Sequence, residues 1–349
     1  MTFRTKYGHL IEEVDGYWQL YAKHRQSTLT LATDAPDKQE AAFTVNFYAF
    51  AKDLFEYGFM MDLLGDNGVE LKVKRALDVG GMEGTVSRLL KNSGHAEVCD
   101  CVDIADYGKV LTDDKFAAYL KSYRRLYKWR PGKVLMNFQE HFDHRLNRER
   151  FSKELSLGRR FDIDNYFTAG FVAMDESVQY DFVSALGCLT YFELNEFFQK
   201  LSKILVRGGL FYFFADCWWT QCNSTGITGG FPWCIQRLES DDVLRYFEDQ
   251  HPEVSLREIE AKLSYYHKSK ERPTITDIVN VAGDHGFSVV ATRRHIARAV
   301  DYERTYKLAQ DLYASTPPAE VLRDIGHFKS GVSELDLRTC FNSAVFVRN

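Results

Sequence analysis

The stretch ALDVGGMEGTVSRLL, residues 76–90, is a short apolar run that enters a glycine turn and leaves it as a helix. Ala76–Val79 has the length of a buried strand, and Thr85–Leu90 has helical character, so a strand passes directly into a helix. Gly80 and Gly81 let the backbone adopt positive φ and approach a ligand closely, while the following helix offers free N–H groups. This is half of a βαβ unit. EVCDCVDI, 97–104, supplies the next strand, with β-branched Val98 and Val102 and an end on Asp103. A doubly wound parallel sheet is the architecture these two strands begin.

Working outward, YDFVSALGCL at 180–189 is a continuous apolar run of the kind buried on both faces of a parallel sheet. Thr190 and Glu193 have capping-box spacing, after which Leu194, Phe197, Phe198, Leu201, Ile204 and Leu205 trace one helical face. Arg207-Gly208-Gly209 stops that helix, and LFYFFADC forms a fifth strand. A third strand is expected within FSKELSLGRRFDI, 151–163. Thr276–Ala282 reads as a helix ended by Gly286; FSVVATRRH and CFNSAVFVR, 287–295 and 340–348, close the sheet as an antiparallel pair. Before the glycine turn, residues 40–64 carry apolar side chains at helical intervals up to Gly65.

The chain divides into a helical segment, 1–70, and an α/β domain, 71–349, interrupted by insertions at 105–156, 218–273 and 297–338. The sequence of 349 residues, 45% hydrophobic and 27% charged, is that of an ordinary globular protein. A net charge of -5 gives no basic footprint for nucleic acid. No apolar run approaches the roughly 20 residues that span a bilayer. The first thirty residues lack a signal-peptide core, and seven cysteines lie scattered without CxxC pairs. A cytoplasmic protein with reduced thiols is expected. His267, His285 and His295 occur singly, without metal-pair spacing, and no metal is expected.

In an open α/β sheet, ligands bind at the carboxyl ends of strands where the strand order switches. Here those ends are the turn at 80–84, Asp103 and Gly187–Tyr191. An acid some twenty residues past a glycine turn can accept the hydroxyl protons of a ribose. A pyrophosphate wants glycines in G-x-G-x-x-G order and no nearby anion. This turn holds Glu83, with Asp78 just before it. Such acids repel a dinucleotide but tolerate a ligand bearing an ammonium and a sulfonium, which describes S-adenosylmethionine.

The motifs then acquire a resemblance. LDVGGMEGTVSRLL resembles the first motif of class I methyltransferases, an acid, an apolar residue and G-x-G-x-G, with Met82 at the middle glycine. YDFVSALGCLTYF is similar to the fourth-strand motif, with Gly187 and Tyr191 where an acid and a His often stand. LSKILVRGGLFYFF resembles the helix, Gly-Gly turn and fifth strand, and DHGFSVV the approach to the sixth. Together these cover roughly residues 76–295. The resemblance implies a Rossmann-like, mostly parallel seven-stranded sheet and S-adenosylmethionine as cofactor. It implies that Gly80, Gly81 and Gly84 line the methionine part, that Asp78 orients its amino group and that Asp103 holds the ribose. Asp162 or Asp164 would follow the third strand near the adenine, and Ala185, Leu186, Gly187 and Cys188 would pass under the sulfonium.

The expected activity is O- or N-methylation of a small molecule: a natural product, a sugar or an amine. The alternatives are an NAD(P)-dependent oxidoreductase on a similar sheet and a binding protein that has lost the chemistry. Trp218, Trp219, Phe231 and Trp233 lie beyond the fifth strand beside Gly226, Gly229 and Gly230. They read equally as a substrate-covering pocket wall or as anchors of the insertion on the core. Asp216 and Tyr191, after the fifth and fourth strands, are the candidates for a general base toward a hydroxyl acceptor.

Overall fold

The computed structural model describes residues 1–16, 53, 56–105, 163–219, 229–266, 272–296 and 316–349. It opens with a two-stranded hairpin, β1 (Thr2–Arg4) and β2 (Leu10–Glu12), in which Phe3 pairs with Ile11. The helical reading of 1–70 is therefore corrected at its start. Three-residue strands with a single inward side chain carry too little alternation to be seen in sequence. Residues 56–66 are helical, in agreement with the apolar spacing; the first part of that expected helix, 40–52, lies outside the described residues.

The central sheet has seven strands in the order β5-β4-β3-β6-β7-β9-β8. They are β3 (Val73–Val79), β4 (Ala96–Asp103), β5 (Asn165–Thr168), β6 (Tyr180–Leu186), β7 (Leu205–Asp216), β8 (Phe287–Ile296) and β9 (Thr339–Arg348). All neighbours from β5 to β7 pair in parallel, and β9 runs antiparallel between β7 and β8. The order reverses at β3, with β4 on one side and β6 on the other, which places the switch point at the glycine turn. This is the doubly wound, mostly parallel, Rossmann-like sheet expected from residues 76–104.

Successive residues of the central strands feed opposite faces. Phe182, Tyr212 and Phe214 pack with Ala76 against the helical residues 56–66 and α1 (Thr85–Asn92), where Met60, Leu64, Leu89 and Leu90 are buried. Leu77, Val183, Phe211 and Phe213 pack on the other face against α2 (Leu194–Ile204), through Phe197, Phe198 and Leu201. Among the described residues no helix is long and apolar enough to cross a membrane.

Three local expectations are corrected. The strand that pairs with β4 is NYFT at 165–168, whereas the expected stretch 151–163 lies, but for Ile163, outside the described residues; two exposed and two half-buried residues on a sheet edge carry no apolar run to find. The helix α2 ends at Ile204 and β7 begins at once, so Arg207-Gly208-Gly209 lies inside the strand. There the register with β6 jumps from Tyr180↔Leu205 to Phe182↔Leu210, and Gly208 takes φ 76°. Glu193 is itself the cap of α2, accepting from Asn195 N–H at 3.1 Å and Glu196 N–H at 2.6 Å, while Thr190 lies in a preceding 3-10 turn. Glu193→Ala is expected to cost about 1 kcal/mol, read as a lower urea midpoint at unchanged slope.

Beyond β7 the chain builds a second core from α3 (Cys234–Arg237), α4 (Ser240–Gln250) and α5 (Leu256–Tyr266). Phe3 and Ile11 of the hairpin are buried in it with Phe231, Ile235, Tyr246, Phe247 and Ile259. The helix α6 (Ile275–Asp284), opened by a Thr274/Asp277 capping box, returns to the sheet through Ile275 and Ile278. Finally α7 (Pro318–Ile325) and α8 (Glu334–Arg338) pack on Trp219 and Trp233.

Candidate active site at the carboxyl ends of the sheet

Asp78 lies one residue before β3 ends, with neighbours on both sides of the sheet, and is 1% exposed. Ser184 on β6 donates its hydroxyl to Asp78 Oδ1 at 2.8 Å, while Oδ2 is buried and has no hydrogen-bond partner among the described residues. Burial pushes the carboxyl up from 3.8 to about 7; Ser184 opposes this, and the nearby acids Glu56 and Asp103 add to it. A buried carboxylate oxygen without a donor is costly, so this atom is the most conspicuous feature of the turn.

The glycines above it are required by space as well as by conformation. A Cβ on Gly81 would collide with Asp78 Oδ2 and stand 2.7 Å from Cys101 Sγ. Gly80 has φ 66°, and a Cβ there would lie 2.7 Å from that of Cys188. Gly84, the left-handed N-cap of α1, is instead filled from behind by Ile163. Met82 also has a positive φ of 46°, so it occupies the conformation that suits the glycine it replaces in the motif.

Asp103 ends β4 at 8% exposure and is held by its neighbours' backbone. Met82 N–H donates to Oδ2 at 3.1 Å and Ala105 N–H to Oδ1 at 3.0 Å. An ionised carboxylate offers about four acceptor positions, so two remain for other donors. At the end of β6, Ala185 is buried in the core on the α2 face, while Leu186 and Gly187 are half-buried. Gly187 takes φ 69° and donates its N–H to Phe214 O at 2.7 Å, and Cys188 donates its thiol to Val79 O at 3.0 Å. Asp216, partly exposed, is the last residue of β7, two beyond the Leu186↔Phe214 pair, and Tyr191, 46% exposed, closes the turn after β6. Both therefore stand at the same edge as the glycine turn.

Asp164 does not. It precedes β5, accepts from Cys99 N–H at 2.8 Å and pairs with Lys91 Nζ at 2.5 Å, so it pins the amino-terminal end of the strand, opposite the crevice. Its position after the third strand is corrected with that strand's boundaries, and Ala169 and Gly170 follow β5 instead. Asp162 lies outside the described residues.

Of the four aromatics, Trp219 and Phe231 are 0% and 1% exposed and belong to the two insertion cores. Trp219 donates its indole N–H to Arg272 O at 3.0 Å. Trp233 is 8% exposed in the same cluster as Trp219, and Trp218 is partly buried with the Arg272 guanidinium 5.0 Å from its ring. The burial of Trp219 and Phe231 is what the anchor reading expects of them. His295 is likewise a buried ring, packed on Phe59 and facing Ser343 Oγ at 3.2 Å.

Sequence reasoning missed Ser184, Glu56 and Tyr166. Ser184 was visible as a small polar residue between Val183 and Ala185, in the apolar half of YDFVSAL. Glu56 and Tyr166 had no local signal, because their positions depend on a helix packing and an edge strand.

No family model matches the chain, and no curated protein does. Among solved structures it is similar to geranyl diphosphate C-methyltransferase from Streptomyces coelicolor A3(2). That match is 10% identical, covers 84% of this chain and 78% of that one, and has TM-score 0.38. It is also similar to the N-methyltransferase NodS from Bradyrhizobium japonicum WM9, 10% identical over 88% of this chain and 97% of that one, TM-score 0.35. A third is the cyclopropane synthase MmaA2 from Mycobacterium tuberculosis, 12% identical over 83% and 84% of the two chains, TM-score 0.37. These likenesses are too distant to carry a function across, and the class of fold rests on the strand order itself.

Proposed function

We propose that the chain is an S-adenosylmethionine-dependent methyltransferase whose acceptor is a small molecule. One observation carries the reading: the unpartnered, buried Oδ2 of Asp78 beneath a turn whose glycines leave no room for a side chain. The residues there suit a ligand with an ammonium group, which would supply the donor that Oδ2 lacks. Asp103, on the adjacent strand, keeps acceptor capacity for ribose hydroxyls. The same acids, with Glu83 in the turn, disfavour a pyrophosphate and hence the nicotinamide alternative.

The cofactor would supply a methyl group already activated on a sulfonium. The protein's part is then to hold an acceptor oxygen or nitrogen close and aligned while excluding water. Asp216 and Tyr191, at the crevice edge, are assigned to a hydroxyl acceptor's proton; an amine needs neither. The acceptor class extends to a sugar, an amine or another natural product.

Calorimetry tests the reading directly. S-adenosylmethionine is expected to bind at micromolar strength and NADH not to bind, with Asp103→Ala weakening the former by about 1 to 3 kcal/mol. Tight NADH binding would transfer the case to an oxidoreductase. A chain that binds the cofactor but releases no S-adenosylhomocysteine with any acceptor is a binding protein.

A further inference from the structure

The turns that rim the crevice are joined by bonds that none of these roles uses. Met82 N–H and Ala105 N–H donate to the two oxygens of Asp103, at 3.1 and 3.0 Å. The carbonyls of the same two residues converge on the hydroxyl of Tyr166, at 2.8 and 3.0 Å. A phenol has one proton, so Tyr166 donates to one carbonyl at a time while lying against both. Residues 82, 103, 105 and 166 thus form a closed ring drawn from the exits of β3 and β4 and from β5, where Tyr166 pairs with Cys101.

The ring has a strained member. Met82 holds φ 46°, a conformation a residue with a side chain leaves readily unless its surroundings fix it. Its N–H points at Asp103 only while the turn keeps that shape, and its carbonyl is fixed from the far side by Tyr166. Tyr166 lies outside the motif that marks the turn and meets it through the Met82 carbonyl.

We infer that Tyr166 is a positioning residue for the ribose-binding carboxylate. It ties the glycine turn to the loop after β4, so that Asp103 meets the cofactor in one orientation. The inference rests on the methyltransferase reading. Removing the hydroxyl leaves Asp78, Asp103 and the glycines chemically intact but lets Met82 relax and the Asp103 oxygens swing with it.

The test is Tyr166→Phe, titrated with S-adenosylhomocysteine by calorimetry, beside Asp103→Asn and the double variant. Tyr166→Phe is expected to weaken binding about three- to tenfold, with the thermal midpoint of the ligand-free chain moving by less than about 2 °C. On the Asp103→Asn background the same change is expected to cost less than about twofold more, because it acts through that carboxylate. Unchanged affinity in Tyr166→Phe overturns the inference. So does a loss that adds in full to that of Asp103→Asn, or one that comes only with a large fall in midpoint. If the wild-type chain binds no S-adenosylhomocysteine, the functional reading falls, and this inference with it.

Discussion

Asp78→Asn is expected to make the ligand-free chain more stable and to remove most of its affinity for S-adenosylmethionine. The carboxyl titrates at about 7 when folded, against 3.8 ordinarily, because burial opposes its charge. Between those values the unfolded chain has lost the proton and the folded chain keeps it. The native state binds more protons there, so stability falls as pH rises from about 4 to 7 and levels off once both states are ionised. Asn has no proton to lose, so its advantage opens above pH 4 and is largest above pH 7. A shift of about three pH units corresponds to on the order of 4 kcal/mol, an upper figure because the amide must still satisfy Ser184. Urea unfolding at pH 4, 6 and 8 checks the sign; a variant less stable than wild type at pH 8 refutes it. Losing a charge-assisted bond to an ammonium is expected to weaken cofactor binding about 30- to 100-fold. In the wild type, binding is expected to strengthen as pH rises through 7, since the ligand prefers the ionised carboxylate.

Trp219→Ala is the second large change. The side chain is fully buried among Cys217, Trp233, Val321, Ile325 and Leu337, and its indole N–H satisfies the Arg272 carbonyl. Truncation leaves a large cavity and removes the hydrogen bond to the Arg272 carbonyl, a loss of about 3–5 kcal/mol. Because Trp219 lies in the insertion core rather than at the glycine turn, cofactor affinity measured on the folded fraction is expected to stay within about threefold. A variant of wild-type stability that fails only with bulky acceptors would instead return Trp219 to the pocket wall.

The parts legible in sequence were those whose signal is local. Residues 76–90 announce strand, turn and helix because an apolar run, glycines and a helical face follow one another within one unit. The acids Asp78 and Asp103 could be read because the strand ends they occupy were themselves visible. The parts that stayed hidden are made by distance. NYFT becomes a strand only because β4 lends it a partner, and Asp164 was misplaced with it. Trp219 could be assigned to the core only once α7 and α8, a hundred residues on, were seen to cover it. Burial of an aromatic is a property of its neighbours, and composition alone leaves wall and anchor equal.

The hairpin at residues 2–12 sets an order on assembly. Phe3 and Ile11 find their apolar partners in Phe231, Tyr246 and Ile259, and His9 Nδ1 meets Asp324 Oδ1 at 2.8 Å across 315 residues of chain. Two strands of three residues cannot hold themselves together in water. During synthesis the hairpin precedes β3 to β7, yet the surface that stabilises it is made only after those strands have been translated. The hairpin is therefore secured only by chain made well after it, and the strands of the central sheet are translated between the two halves of the core that it completes.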